Sequence, residues 1–255
     1  MSVNLQKGQK VELRKSNGGT LRKVMVGLGW DEVKQARGFF APKPQDIDCD
    51  AYQQYQTQYS SRNITGQQAA RYILDQNGLN NIRIEQVAGT LTDHYDPSAN
   101  VIRLSNGIYG GTSTAAIGVA CHEVGHALQH VTNYAPIKLR AAIVPITNIG
   151  SKLAGPLILI GFLLGALIHF FTIFAYIGII CFATCTIFQL VTLPTEFDAS
   201  KRALQCIENN NLLNSNELEG AKKVLTAAAL TYVAALAVSL MQLLHYILIL
   251  NRRRR

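Results

Sequence analysis

The sequence predicts a mainly α membrane protein with three parts: a small mixed α/β portion built around one helix, a helical hairpin that crosses a bilayer twice, and a further apolar helix at the C-terminal end. Three observations predict it. No Asp, Glu, Lys or Arg occurs from Leu153 to Thr195, a run long enough for about two crossings at roughly 1.5 Å per residue. None occurs from Val224 to Asn251, which exceeds the roughly 20 residues that one crossing needs. Ile82-Arg83-Ile84 and Val101-Ile102-Arg103-Leu104 alternate with the two-residue period of strands.

In chain order, residues 1 to 50 come first. Val11-Glu12-Leu13 and Val24-Met25-Val26 read as short strands, with Asn17-Gly18-Gly19 as the turn signal between them. Asp46, Asp48 and Asp50 alternate at the end of the segment. The stretches VNLQKGQKVEL, KVMVGLGWD and DIDCDA resemble the opening of the TerD-type tellurium-resistance and stress proteins. That resemblance implies a piece of a calcium-binding β-sandwich. It covers only these 50 or so residues, and the family's later acidic loops are missing. The aspartates are therefore read as a solvated acidic turn, with a hard cation as the alternative.

Residues 51 to 64 are rich in Gln, Tyr and Ser and read as a linker to a second domain at 65 to 255. Thr65 with Gln68 forms a capping-box signature ahead of Ala69, Tyr72, Ile73 and Leu74, and Gly78 ends that helix. Thr92 to Pro97 reads as a turn between the two alternating strands. Ser113 or Thr114 caps a helix running from about 114 to 131. The apolar segments follow at about 154 to 193 and 224 to 250. Pro156 is expected at the start of the first helix, Tyr176 and Gly178 at its hairpin turn, and Pro194 at its exit.

The net charge of +8 raises nucleic acid as a partner, but Lys and Arg are spread along the chain without a basic, aromatic-interleaved stripe. The basic tail Arg252 to Arg255 suits an anionic lipid surface instead. Five cysteines without CxxC spacing argue against a disulfide framework and against a cysteine metal site. The polar start, Met1 to Lys10, lacks an apolar signal region, so the N-terminal unit is expected in the cytosol.

The chemistry is carried by His122-Glu123-Val124-Gly125-His126, an HExxH pattern on a predicted helix. Residues four apart share a helical face, so both imidazoles can reach one zinc ion. Glu123 stands beside them, where a carboxylate can take a proton from an attacking water and return it to a leaving amine. Zinc in a catalytic site needs a third protein ligand. His130 is rotated roughly 80° from the metal-facing direction and reads as an ordinary polar residue. Thr132 stands where a third histidine spaced along the same helix would be. Glu196 is the first charge after the long apolar run, and an out-and-back hairpin returns it to the side of His126. Asp198 is the fallback.

From about 57 to 250 the chain closely resembles the YugP-type membrane zinc metallopeptidases, distant relatives of the HtpX-type proteases. The stretches NITGQQAARYILDQNGL, LTDHYDPSANVIRLSNGIY, AAIGVACHEVGHALQH, YAPIKLRAAIVPITN, LPTEFDASKRAL and GAKKVLTAAALTYVAAL carry the likeness. It implies zinc on His122 and His126, catalysis by Glu123, Glu196 as third ligand in a gluzincin-like centre, and unfolded or membrane-associated polypeptides as substrates. HtpX-type proteases follow the glutamate four residues later with Asp; here that position is Ser200, so Asp198 is the expected supporting carboxylate. His94 and Tyr95 are candidates for polarising the scissile carbonyl, and Val101 to Leu104 for a sheet edge that receives substrate.

The resemblance implies an integral protein of a bacterial-type plasma membrane. A cytosolic metal site is expected, although a third crossing would then export the terminal arginines, against the positive-inside tendency. A catalytically silent adaptor or stress sensor displaying the TerD-like segment is the rival reading.

Overall fold

The computed structural model describes residues 52–90 and 92–252, together with Lys10–Val11 and Val24–Met25. The chain divides into two compact units, Met1–Lys43 and Pro44–Arg255. In the first, β1 (Lys10–Val11) pairs antiparallel with β2 (Val24–Met25), Lys10 opposite Met25. Asp46, Asp48 and Asp50, and with them the proposed cation turn, lie outside the described residues.

Within the second unit, residues 52–64 differ from the expected linker. Tyr52 and Ser60 are buried. Ser60 N–H donates to the Thr112 carbonyl, Thr114 N–H to the Gln58 carbonyl and Ser61 N–H to the Glu217 carboxylate. A polar composition suits a linker, but here the polar groups are used to tie the segment to the body.

Helix α1 (Gly66–Gln76) starts at the expected capping box, with both reciprocal bonds between Thr65 and Gln68 present. Its stripe of Ala69, Ala70, Ile73 and Leu74 is buried, and Gly78 beyond its end takes a φ of +71°. The strands β3 (Arg83–Val87), β4 (His94–Asp96) and β5 (Val101–Ser105) form one sheet in the order β3-β5-β4. Strand β5 runs parallel to β3 and antiparallel to β4, with Tyr95 opposite Ile102.

Two expectations fail here. Val101 to Leu104 is the central strand, with Val101, Ile102 and Leu104 fully buried. Its nearly continuous apolar run suits a strand covered on both faces. The segment read as a turn supplies an edge strand, β4, and the reversal falls after it. There Asp96 Oδ1 accepts from Ser98 and Ala99 N–H, and Asn100 adopts a φ of +55°. Asp96 is also paired with Arg103 at 2.8 Å across the strands.

A short helix α2 (Asn106–Tyr109) leads to α3 (Thr114–Val131), whose Ser113 cap accepts from Ala116 N–H as expected. Thirteen of the eighteen residues of α3 are buried, so it is the axis around which the unit is built. Its glycines set how close the neighbours come. A Cβ on Gly125 would lie 2.4 Å from the Ala199 carbonyl oxygen, and one on Gly118 would lie 3.3 Å from Ala221 Cβ.

Among the described residues, three helices are long and apolar enough to cross a membrane. They are α4 (Ala135–Leu164), α5 (Thr172–Asn209, preceded by a 3-10 turn at His169–Phe171) and α6 (Ser215–Arg252). The hairpin turn lies at 165–171, not at Tyr176 and Gly178. Gly178 is instead a packing glycine against Ile158, as Gly161 is against Ala175 and Gly150 against Thr184. Pro156 and Pro194 both fall inside helices, contrary to the expected start and exit. In long apolar helices, neighbouring groups re-satisfy the carbonyls that proline frees. One consequence decides the site: α5 carries the apolar run and Glu196 on a single continuous helix.

Candidate metal centre

Helix α3 presents His122 and His126 one turn apart, their rings edge to face with centroids 4.7 Å apart. Helix α5 crosses them where Gly125 meets Ala199, so Glu196 and Ser200 fall against the two imidazoles. Glu196 Oε2 lies 3.3 Å from His122 Nε2 and 3.5 Å from His126 Nε2. These are longer than the roughly 2.7–2.9 Å of a charged hydrogen bond. They match the separation of about 3.3 Å between ligands that share a tetrahedral ion at roughly 2.0–2.1 Å. The three donor atoms all lie within 4.8 Å of one another and could hold a metal ion.

The other atoms of these side chains are committed. His122 Nδ1 is hydrogen-bonded with Ser200 Oγ at 3.1 Å, and His126 Nδ1 with Gln129 Oε1 at 3.0 Å. Gln129 Nε2 in turn donates to the Thr195 carbonyl at 2.7 Å and to Asp198 Oδ2 at 2.9 Å. Arg202 Nε donates to the same Asp198 oxygen at 2.6 Å. Arg140 Nη1 donates to Glu196 Oε1 at 3.2 Å, leaving Oε2 for the metal position. Gln129 Oε1 only accepts, which favours the tautomer that turns the His126 Nε2 lone pair inward, and the Ser200 hydroxyl is able to accept from His122 Nδ1 in the same sense.

Asp198 is not one of the three converging donors; it reaches His126 through Gln129. The residue that replaces the expected aspartate, Ser200, is itself the partner of His122. Ser200, Gln129, Arg140 and Tyr232 were missed in the sequence. Gln129, three residues past His126, and Ser200, four past Glu196, carried a local signal on their own helices; Arg140 and Tyr232 become neighbours only when α4, α5 and α6 pack.

Glu123 is buried at 7 % exposure and lines two adjoining cavities, of about 150 Å³ and about 340 Å³, beside His122 and Glu196. Asp93 and Tyr232 line both as well, while His94, Tyr95 and Arg140 line the larger one. Asp93 accepts from Ser105 N–H at 2.7 Å and Ser105 Oγ at 3.1 Å, which clamps the start of β4 beside the cleft. Burial raises its pKa above the ordinary value despite those bonds. His94 is exposed, its Nδ1 2.8 Å from the Thr92 carbonyl, and Tyr95 stacks edge-on against His130 at 6.1 Å. His130 is not among the grouped donors. Burial pulls the His126 pKa down, but the Glu196 bond and the charges of Glu123 and Glu196 outweigh it and leave the pKa raised.

Comparison with known proteins bears on this arrangement. The family described as "Putative neutral zinc metallopeptidase" matches residues 48–251. The chain belongs to that family. It is 49% identical over 203 residues to "Putative membrane protease YugP" of Bacillus subtilis (strain 168), covering 79% of this chain and 88% of that protein. Residues 1–58 match the TerD domain. Over that part the chain is 47% identical to "Stress response protein SCP2" of Bacillus subtilis (strain 168) across 55 residues, 20% of this chain and 27% of that protein. A further likeness, 49% over 51 residues, is to "General stress protein 16U" of the same organism, covering 20% of this chain and 23% of that protein. The chain thus spans about a quarter of those stress proteins. No solved structure matches.

Proposed function

We propose that this protein is a zinc-dependent endopeptidase anchored in a bacterial-type plasma membrane by α4, α5 and α6. The observation that carries the reading is the convergence of His122, His126 and Glu196 on one point with Glu123 in the adjoining cleft. The donor set of two imidazoles and one carboxylate, with hydrogen bonds behind both imidazoles, fits zinc and leaves a position open. When bound there, zinc polarises the attacking water and the scissile carbonyl.

The chain's own residues do the rest. Glu123 takes the proton from the attacking water and delivers it to the amine as the peptide bond breaks. Ser200 and Gln129 keep the imidazoles oriented. Arg140 holds Glu196 to one oxygen. The substrate is an unfolded or membrane-associated polypeptide. The edge of β4, which carries His94 and Tyr95 along the cleft, accepts it as an added strand. His94 and Tyr95 remain candidates for polarising its carbonyl. The metal site faces the cytosol, supported by Lys138, Arg140, Lys201, Arg202, Lys222 and Lys223 at the metal-side parts of α4–α6.

A silent adaptor would have no use for a buried carboxylate beside three metal ligands, which favours the enzyme. The test is cleavage of casein by the zinc-loaded protein. Glu123→Gln is expected to lower the rate at least about a hundredfold while zinc content stays stoichiometric. Equal rates for the variant and the wild type would remove Glu123 from its role.

A further inference from the structure

Helix α5 packs along both α4 and α6, whereas α4 and α6 make no comparably extensive contact with each other. They meet far from the metal site, where Phe162 of α4 lies 6.3 Å from Tyr246 of α6 and Phe182 of α5 lies 5.6 Å from the same ring. Beside the metal site, Ile137, Ala141 and Val144 of α4 and Tyr232 of α6 line the larger cavity together. A groove therefore runs from the metal cleft along α5 and is closed at its far end by aromatic rings.

The face of α4 that lines the cleft continues, at steps of three or four residues, through Asn148, Ser151 and Gly155. All three are exposed, as is neighbouring Lys152, and a methyl on Gly155 would meet nothing within 4 Å. On α5, Thr192 and Gln189 continue the line of Glu196, and Gln189 Oε1 is buried without a hydrogen-bond partner. From Thr172 at the hairpin turn to Glu196 is roughly 36 Å of helix, against a hydrocarbon core of about 30 Å. With the turn at the far surface, Glu196 lies near the opposite one, and Asn148, Ser151, Lys152 and Gln189 lie between them.

Ser151 Oγ donates to the Asn148 carbonyl at 3.1 Å; acyl chains offer the Asn148 amide, Lys152 and Gln189 nothing, whereas an unwound polypeptide brings backbone N–H and C=O groups to pair with them. A second copy of this chain supplies no counter-charge for Lys152, since residues 153–195 and 224–251 contain no Asp or Glu. We propose that the groove between α4 and α6 is a lateral path by which a membrane-spanning polypeptide reaches the metal site, its unwound end lying along Asn148 and Ser151. This inference rests on the peptidase reading of the site. It narrows the substrate class to integral membrane proteins cut at the membrane surface.

The test uses the full chain, zinc-loaded in lipid nanodiscs, with two substrates: soluble casein, and a casein segment fused to a single spanning helix in the same nanodisc. Asn148→Leu/Ser151→Leu and, separately, Gly155→Leu alter the groove outside the metal cleft. Each is expected to slow cleavage of the fused substrate at least tenfold, with zinc content and casein cleavage unchanged. A photocrosslinker placed at Ser151 is expected to capture the spanning helix of the fused substrate. Wild-type rates on the fused substrate for both variants would overturn the proposal. So would equal losses on both substrates, or crosslinking only to lipid or to a second copy. Failure of the wild type to cleave either substrate would instead count against the peptidase reading itself.

Discussion

Substitution of Gly125 by alanine tests how the centre is assembled. The new Cβ would lie 2.4 Å from the Ala199 carbonyl oxygen, 3.0 Å from its carbonyl carbon and 3.1 Å from its Cα. These are backbone atoms and cannot rotate away. Restoring an ordinary 3.4 Å contact requires α3 and α5 to part by about 1 Å. Glu196, three residues from Ala199, moves with α5. Its Oε2, now 3.3 and 3.5 Å from the two Nε2 atoms, would move beyond about 4 Å. Two bonds of roughly 2.0–2.1 Å span at most about 4.1 Å, and only when collinear, so a shared tetrahedral ion is lost. The expected outcome is overpacking of about 1–3 kcal/mol together with zinc binding weakened at least about tenfold. Competition with a chromophoric chelator measures the affinity, and thermal melts with and without zinc measure the stability. Gly110→Ala, where a Cβ meets nothing closer than 4.0 Å, is the control. Wild-type zinc affinity and melting temperature in Gly125→Ala would show that the helix approach does not set the ligand spacing.

Three further outcomes are expected. Ser200→Ala removes the partner of His122 Nδ1 and should weaken zinc binding by roughly 10–100-fold, measured by the same competition; unchanged affinity would make that contact incidental. The raised His126 pKa gives the metal-free and loaded proteins opposite responses to pH. Proton binding stabilises the metal-free fold below the ordinary value of 6.5, and that stability is lost as pH rises through the raised pKa. Zinc needs the unprotonated ring, so the melting temperature of the loaded protein should fall as pH drops through the same range; parallel trends would contradict the assignment. Thr65→Ala removes the cap of α1 and should cost about 1 kcal/mol in chemical denaturation, with zinc content unchanged.

Local signals were legible wherever the chemistry is local. The capping box at Thr65 and Gln68, the Ser113 cap, the strands near 83 and 101, and His122 and His126 on one helical face all follow from spacing along the chain. The uncharged runs announced three helices able to cross a bilayer. Elements whose role depends on distant partners were misread. Residues 52–64 have the composition of a linker but bond to Thr112 and Glu217. Gly178 looks like a turn yet packs on Ile158. His94 to Asp96 looks like a loop yet pairs with β5.

What the sequence determined by itself is the histidine pair on one face of α3, the carboxylate between them and the apolar length that brings the chain back, because helical period and hydrophobicity act between near neighbours. Tertiary structure alone decided that Ser200 backs His122, that Asp198 reaches His126 through Gln129, and that Arg140 and Tyr232 face Glu196 and the cleft. Those contacts join residues tens of positions apart, and the pairing of α3 with α5 among them depends on Gly125 letting the two helices approach until it meets the Ala199 backbone. No pattern within a single segment encodes such an approach.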